Sequence, residues 1–288
     1  MDKRDAGDPG RSAGRRRVAW IPVKEWIHHL NPRKRNMKQE KKMIEITRAD
    51  KRRKASRGPF STQFLPLGRY LKDWDDHGVA QIGRLEHATL KAGALVPMHI
   101  HQNEEILSYI RKGVMRHRDS HEIEASIHNR YLMMMNAGSG IYHEEGVREG
   151  DETVEMLQIF IRAREDDLKP DIQFLELESS HSLNEWRLLA GHEQSGAPLT
   201  FRSDVKFYDL HLEADKSITT PDLNGNLGLM YLFGGSAVIK DHDETIAEGD
   251  SILIRKEQLT LQSEVDSDIV FFELDESAPY TRNGLYTR

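Results

Sequence analysis

The sequence predicts an all-β protein of two barrel domains packed together, with few and short helices. Three observations carry this expectation. From Met43 to about Arg164, short runs of alternating apolar and polar residues are separated by turn residues, the period-two signature of half-buried strands. A second set of such runs begins near Trp186 and continues to Leu274, punctuated at Gly191, Gly225, Gly234-Gly235 and Gly249-Asp250. Within the first set, His99-Ile-His101 and His143-Glu-Glu145 place side chains suited to metal ligation two residues apart.

At 288 residues the chain has room for two domains with their own cores. With 38% apolar and 31% charged residues it reads as globular and not as a disordered chain. No apolar run approaches the ~18 residues needed to span a bilayer, so no membrane role is expected. The absence of cysteine removes disulfides, thiolate ligands and thiol nucleophiles, and is compatible with a cytoplasmic location. Residues 1–42 carry 13 Lys and Arg against 5 Asp and Glu, and the remainder carries 28 against 42. An acidic body argues against direct nucleic-acid binding, which needs clustered positive charge.

In chain order, residues 1–42 read as a basic, disordered extension. Residues 43–165 form the first domain, with Phe64–Gly68 and Trp74 as packing or entrance residues near its barrel. Side chains two positions apart on a strand share a face, so His99 and His101 can reach one ion. From His101 to His143 the chain has space for several strands and turns, and His143 and Glu145 repeat the spacing. If the two strands face one another inside a barrel, His99, His101, His143 and Glu145 converge as four ligands. Three imidazoles and one carboxylate suit a transition metal better than Mg or Ca, and leave open coordination positions. His117, His121 and His128 lie in a polar, turn-rich part and read as surface histidines; Met133-Met134-Met135 reads as a core strand. Val154–Ile161 is a closing strand, and residues 166–185, which include Pro170, are a linker.

Residues 186–288 form the second domain. Its runs Val205–Leu212, Leu229–Phe233, Ala237–Lys240, Ser251–Arg255 and Ile269–Leu274 make it a diverged repeat of the first, with Gly113 and Gly235 at comparable turns. Asn224-Gly-Asn226 stands where the first copy has His-x-His, and His181, His192, His211 and His242 show no ligand spacing. This domain is expected to bind no metal.

His99-Ile-His101, Glu105–Ile110, Arg116-His-Arg-Asp-Ser120, Met135–Glu145 and Leu157–Ile161 together resemble the pirin family, two-cupin proteins that include bacterial quercetinase-like members. Carried over residue by residue, the family's ligands fall on the same four positions: His99, His101, His143 and Glu145. The chain departs from the pirin pattern at Ile100, where proline is usual, and at Gln102-Asn103-Glu104, where an Arg-Gly-aromatic run is usual. Other cupins take the carboxylate ligand from the position of Glu105, which is therefore the rival ligand to Glu145, or else an acceptor for an imidazole N–H. The resemblance implies two jelly-roll barrels, one divalent transition metal in the first (iron foremost, with Ni, Cu, Mn or Zn as alternatives), and a tail around Tyr280–Tyr286 packed back across the first domain. It also implies a dioxygenase acting on a flavonol or related enol or phenol. There Glu145 accepts the substrate's hydroxyl proton and dioxygen adds with loss of carbon monoxide. The rival implication is a metal-binding regulatory protein that docks a protein partner.

Overall fold

The computed structural model describes residues 43–67, 76 and 78–288. The expected extension 1–42, Gly68 and Trp74 lie outside the described residues. From Met43–Thr47 (β1) the chain runs through Arg53–Arg57 (β2), Phe60–Phe64 (β3) and Ile82–Leu90 (β4), with a 3-10 turn at Ala49–Lys51. Leu95–His101 (β5), Glu104–Lys112 (β6), Met115–Asp119 (β7) and Glu124–Ile127 (β8) follow. Then come Tyr131–Asn136 (β9), Ile141–Gly146 (β10), Val154–Arg162 (β11) and Asp171–Glu176 (β12). The second half comprises Arg187–His192 (β13), Leu199–Phe201 (β14), Val205–Leu212 (β15), Ser217–Thr219 (β16) and Leu227–Gly234 (β17). It ends with Ser236–Ile239 (β18), Glu244–Ala247 (β19), Ser251–Arg255 (β20), Thr260–Ser263 (β21) and Ser267–Leu274 (β22).

These strands build two cupin barrels on one plan. The first pairs a seven-stranded sheet, β12-β9-β6-β11-β4-β3-β2, with a four-stranded sheet, β5-β10-β7-β8. The second pairs β1-β20-β17-β22-β15-β13-β14 with β16-β21-β18-β19. Gly113 (φ +80°) and Gly235 (φ +84°) make the same left-handed turn after β6 and β17, a conformation glycine adopts without a Cβ penalty.

Sequence order and pairing order differ at both domain edges. β1 pairs with β20 of the second barrel, Met43 opposite Arg255 and Thr47 opposite Ser251, and Ile44 and Ile46 pack on that barrel's core. β12 lies within the stretch expected as a linker and pairs with β9 of the first barrel, Asp171 opposite Asn136. Each extra strand covers what would otherwise be an open sheet edge. Gly191 sits within β13, and the turn follows it at Gly196 (φ +76°).

The two large sheets pack face to face, which explains why their strands read as nearly continuous apolar runs. Along β11, Leu157, Ile159 and Ile161 point into the core shared with Leu229, Phe233 and Phe272 of the second barrel. The alternate residues Val154, Met156 and Phe160 point into the first barrel's interior. Met133, Met134 and Met135 are all fully buried because both faces of β9 are covered. The second barrel's interior is filled by Ala237, Ile239, Ile246, Leu261 and Phe271. The first barrel's interior is apolar at one end and polar at the other, where β4, β5, β10 and β11 open on a cavity of about 410 Å³.

Candidate metal centre

β10 lies between β5 and β7, with His143 opposite His99 on one side and opposite Asp119 on the other. His99, His101, His143 and Glu145 all point inward, as the period of two requires. His99 is partly buried, while His101 and His143 are at 1% and 0% exposure. The Nε2 atom of His99 lies 3.0 Å from that of His101 and 3.1 Å from that of His143.

The partners of the other ring nitrogens decide where the protons sit. His99 Nδ1 donates to the Pro97 carbonyl at 2.9 Å, and His101 Nδ1 to Glu104 Oε1 at 2.5 Å. Both acceptors hold the proton on Nδ1 and leave the Nε2 lone pair bare. Burial, with His101 alongside, lowers the pKa of His99; burial and the three neighbouring imidazoles hold His143 far below its usual range. Uncharged imidazole nitrogens this close are complementary to a cation. With metal–nitrogen bonds of about 2.1 Å, two ligands at right angles stand about 3.0 Å apart. The spacing of His99 from each of the other two therefore fits adjacent ligands on one ion, and the three ligand atoms lie within 4.8 Å of one another.

Glu145 lies one step away from this triad. Its Oε1 is 3.9 Å from His143 Nδ1, the edge of the ring that faces away from His99. It groups with His117 and His143, whereas His99, His101 and His143 form the other cluster of ligand atoms among the described residues. The cause is a bulge between β5 and β10: His143 opposes His99 but Glu145 opposes Val96, so β5 carries an extra residue at Pro97 and Met98. Proline, which has no N–H to donate, suits a bulge. Glu145 is 4% exposed, accepts from Gln158 Nε2 at 3.2 and 3.4 Å, and is pushed up to about 7 by burial.

Glu105 does not face the histidines. Its carboxylate accepts from Asn136 Nδ2 at 2.6 Å and from the backbone N–H groups of Arg202 at 3.0 Å and Ser203 at 3.3 Å, tying β6 to the second barrel. The acceptor that holds an imidazole is Glu104. Asn103 adopts φ +55° and breaks the strand, so the alternation that would put Glu105 on the face of His99 and His101 restarts one residue out. His117, expected at the surface, is 2% exposed; its Nδ1 lies 3.4 Å from His143 Nδ1 and its Nε2 lies 2.8 Å from Asp119 Oδ2. Only its place on β7, register-paired with Glu145, reveals this. His121 is exposed and His128 partly so. In the second barrel, His211 bonds Asp268 at 2.7 Å and lies outside both ligand clusters.

The cavity above the triad is lined by His99, His101, Glu145, Glu86, Phe160 and Tyr286. Its volume lies in the roughly 300–1,000 Å³ range of small-molecule sites. Tyr286 arrives from the C-terminal segment: its ring centroid is 4.8 Å from that of His101 and 5.9 Å from that of Phe160, and its backbone N–H donates to Glu104 Oε2 at 2.9 Å. The segment is further fastened by Thr281 N–H to the Ala163 carbonyl at 2.8 Å and by Arg162 Nε to the Thr287 carbonyl at 3.0 Å. Glu86 pairs with Arg84 and accepts from Thr62 Oγ1 at 2.8 Å, and burial raises its pKa.

Comparison with known proteins agrees with this fold. The pirin family profile matches residues 70–161, and the profile of the quercetinase C-terminal cupin domain matches residues 188–274. A protein of Escherichia coli O157:H7 named quercetin 2,3-dioxygenase is 22% identical over 233 residues, covering 81% of this chain and 99% of its own. A Zymomonas mobilis protein that carries the same name provisionally is 29% identical over 175 residues, covering 60% of this chain and 73% of its own. The crystal structure of bacterial pirin YhhW from Escherichia coli in complex with nickel(II) superposes with a TM-score of 0.71 at 20% identity, covering 83% of this chain and all of that one. Two matched halves on one two-barrel plan, with the histidine pair on the first, place this chain in the pirin family.

Proposed function

We propose that this protein is a metal-dependent dioxygenase acting on a flavonol of the quercetin type or a related enol or phenol. The observation that carries the reading is the convergence of three imidazoles, with the Nε2 of His99 3.0 Å from that of His101 and 3.1 Å from that of His143, beside an aromatic-lined cavity on which His99 and His101 open. His99, His101 and His143 would hold one divalent transition metal, iron foremost, with Glu145 as a fourth ligand or as a base beside it. The relatives named quercetin 2,3-dioxygenase and the nickel-bound pirin support a metal-dependent reading. When bound, the ion supplies the redox and Lewis-acid chemistry that dioxygen insertion needs.

The chain's own residues do the rest. Tyr286 and Phe160 offer flat apolar faces on the cavity wall against which a planar aromatic ring can pack. Glu145 opens on the same cavity, and its two oxygens share the one Gln158 amide group, which leaves a carboxylate lone pair to receive the substrate's hydroxyl proton. Tyr286 and the C-terminal segment shield one side of the triad from bulk water. A cytoplasmic setting is part of the same proposal.

A second reading, a metal-binding regulatory protein that docks another protein, draws on exposed apolar side chains on the ligand-bearing strands. Leu95 and Met98 on β5 are 62% and 43% exposed, and Tyr142 on β10 is 50% exposed. One experiment separates the two: load the purified protein anaerobically with iron, measure metal content, then incubate it aerobically with quercetin and follow flavonol loss and carbon monoxide. Near one metal per chain with carbon monoxide release supports the dioxygenase. Metal without turnover on quercetin or related phenols favours the docking protein, and no metal uptake removes both readings.

A further inference from the structure

We propose that His117, backed by Asp119, is a positioning residue that fixes the proton of His143 on Nδ1 and so leaves the His143 Nε2 lone pair bare toward His99. The inference rests on the metal reading above for its consequence, and the proton placement is argued from the hydrogen bonds that Asp119 and His117 make.

The argument starts at Asp119. Its Oδ1 accepts the backbone N–H groups of His121 at 2.8 Å and Ile123 at 3.3 Å, which fixes the carboxylate at the end of β7. Its Oδ2 lies 2.8 Å from His117 Nε2, and both side chains are fully buried. A carboxylate held this way accepts, so the proton of a neutral His117 belongs on Nε2 and its Nδ1 presents a lone pair. That lone pair lies 3.4 Å from His143 Nδ1. Only a proton on His143 Nδ1 makes the contact favourable.

The opposite arrangement can be weighed. His143 could carry its proton on Nε2 and donate to His99, 3.1 Å away. His117 would then have to donate from Nδ1, and its unprotonated Nε2 would face the Asp119 carboxylate at 2.8 Å. For a neutral His117 a buried carboxylate would then face a ring lone pair with no donor between them, and its negative charge would lose the hydrogen bond that compensates its burial; the bare Nε2 atoms of the triad, by contrast, are uncharged and converge where a cation can sit. Glu145 offers no alternative partner, because its Oε1 is 3.9 Å from His143 Nδ1, beyond hydrogen-bond reach. Asp119, His117 and His143 therefore form a one-way chain, and each of the three triad imidazoles ends with its proton on Nδ1. Pro97, Glu104 and His117 are the three acceptors that enforce it.

The test uses protein labelled with ¹⁵N at histidine, studied free of metal by two-bond ¹⁵N–¹H NMR, followed by nickel titration. Wild-type His143 is expected to show the Nδ1–H tautomer. His117→Phe, which keeps the ring volume but accepts nothing, should lose that tautomer and bind nickel about 10- to 100-fold more weakly. His117→Gln, whose amide can donate to Asp119 and accept from His143, should restore both. A purely packing role would predict the reverse order, with phenylalanine the better replacement. A wild-type His143 protonated on Nε2 overturns the proposal without any variant, as does a His117→Phe protein with unchanged tautomer and nickel affinity. A wild-type protein that shows the Nδ1–H tautomer yet takes up no nickel upholds the positioning role and removes the metal reading instead.

Discussion

In the first barrel, β10 brings His143 opposite His99 on β5; at the equivalent place in the second barrel, β21 brings Leu261 opposite Ile218 on β16. The strand orders β5-β10-β7-β8 and β16-β21-β18-β19 match position for position. What differs is the chemistry turned inward. Leu261 is fully buried and packs with Ala237, Ile239 and Phe271, so the second barrel is closed by its own core. The first barrel turns imidazoles and carboxylates inward and retains a cavity of about 410 Å³. Polar groups directed at one point cannot fill space as apolar side chains do, because each needs a partner or an ion. One copy of the plan thus supplies rigidity and the other supplies a site.

The sharpest way to break this contrast is to remove an imidazole from each barrel. His143→Ala should abolish stoichiometric nickel uptake, read by elemental analysis, while His211→Ala in the second barrel should leave it intact. Equal uptake by wild type and His143→Ala would end the assignment of the first barrel as the metal site. The next effect runs in the other direction. Leu261→Ala should cost about 2–5 kcal/mol in urea unfolding, as for other buried leucines, and leave nickel uptake unchanged. A loss of metal in that variant would show that the barrels do not divide the labour as proposed.

The histidine pairs were legible because period-two spacing survives any strand twist, and the two-barrel plan was legible because turn glycines recur at matching places. The partners of the pairs were not. Asn224 (φ +49°) corresponds to Asn103 (φ +55°), each in the loop just before the next large-sheet strand, so Asn224-Gly-Asn226 matches the turn after His101 and not the histidine pair. The counterpart of β5 is β16, Ser217–Thr219. Glu104 was hidden by the same left-handed residue, since a single positive φ shifts the parity of everything after it. His117 was hidden because its burial depends on β7 lying beside β10, a pairing between residues far apart in sequence. The exchange of β1 into the second barrel is of the same kind: Met43–Thr47 reads as a strand, but nothing in it names β20 as its partner.

Glu104 allows a smaller and more specific test. Its carboxylate accepts His101 Nδ1–H on one oxygen and the Tyr286 backbone N–H on the other. Glu104→Gln keeps the shape but offers only one acceptor atom, so one of those two donors meets an NH2 group. Nickel affinity should fall about 10- to 100-fold with little change in melting temperature. Unchanged affinity would mean that His101 is oriented by the barrel alone. No counterpart in the second barrel should respond, because Thr219 and Ile218 hold nothing that needs orienting.

The smallest expected effect concerns what the second barrel lends to the first. Tyr286 follows β22 by a short segment and sets its ring beside His101 and Phe160, so the closed barrel supplies one wall of the open one. An aromatic pair is worth about 0.5–1.5 kcal/mol beyond the area it buries, which corresponds to a roughly two- to tenfold change in binding. Tyr286→Ala should therefore raise the KM for an aromatic substrate by that factor while kcat and nickel content stay near wild type. Tyr286→Phe should restore KM, because the ring face and not the hydroxyl does the packing. If alanine instead lowered kcat and stripped metal, the segment would act through its backbone bond to Glu104, and the second barrel's contribution would be to hold the ligands and not to recognise the substrate.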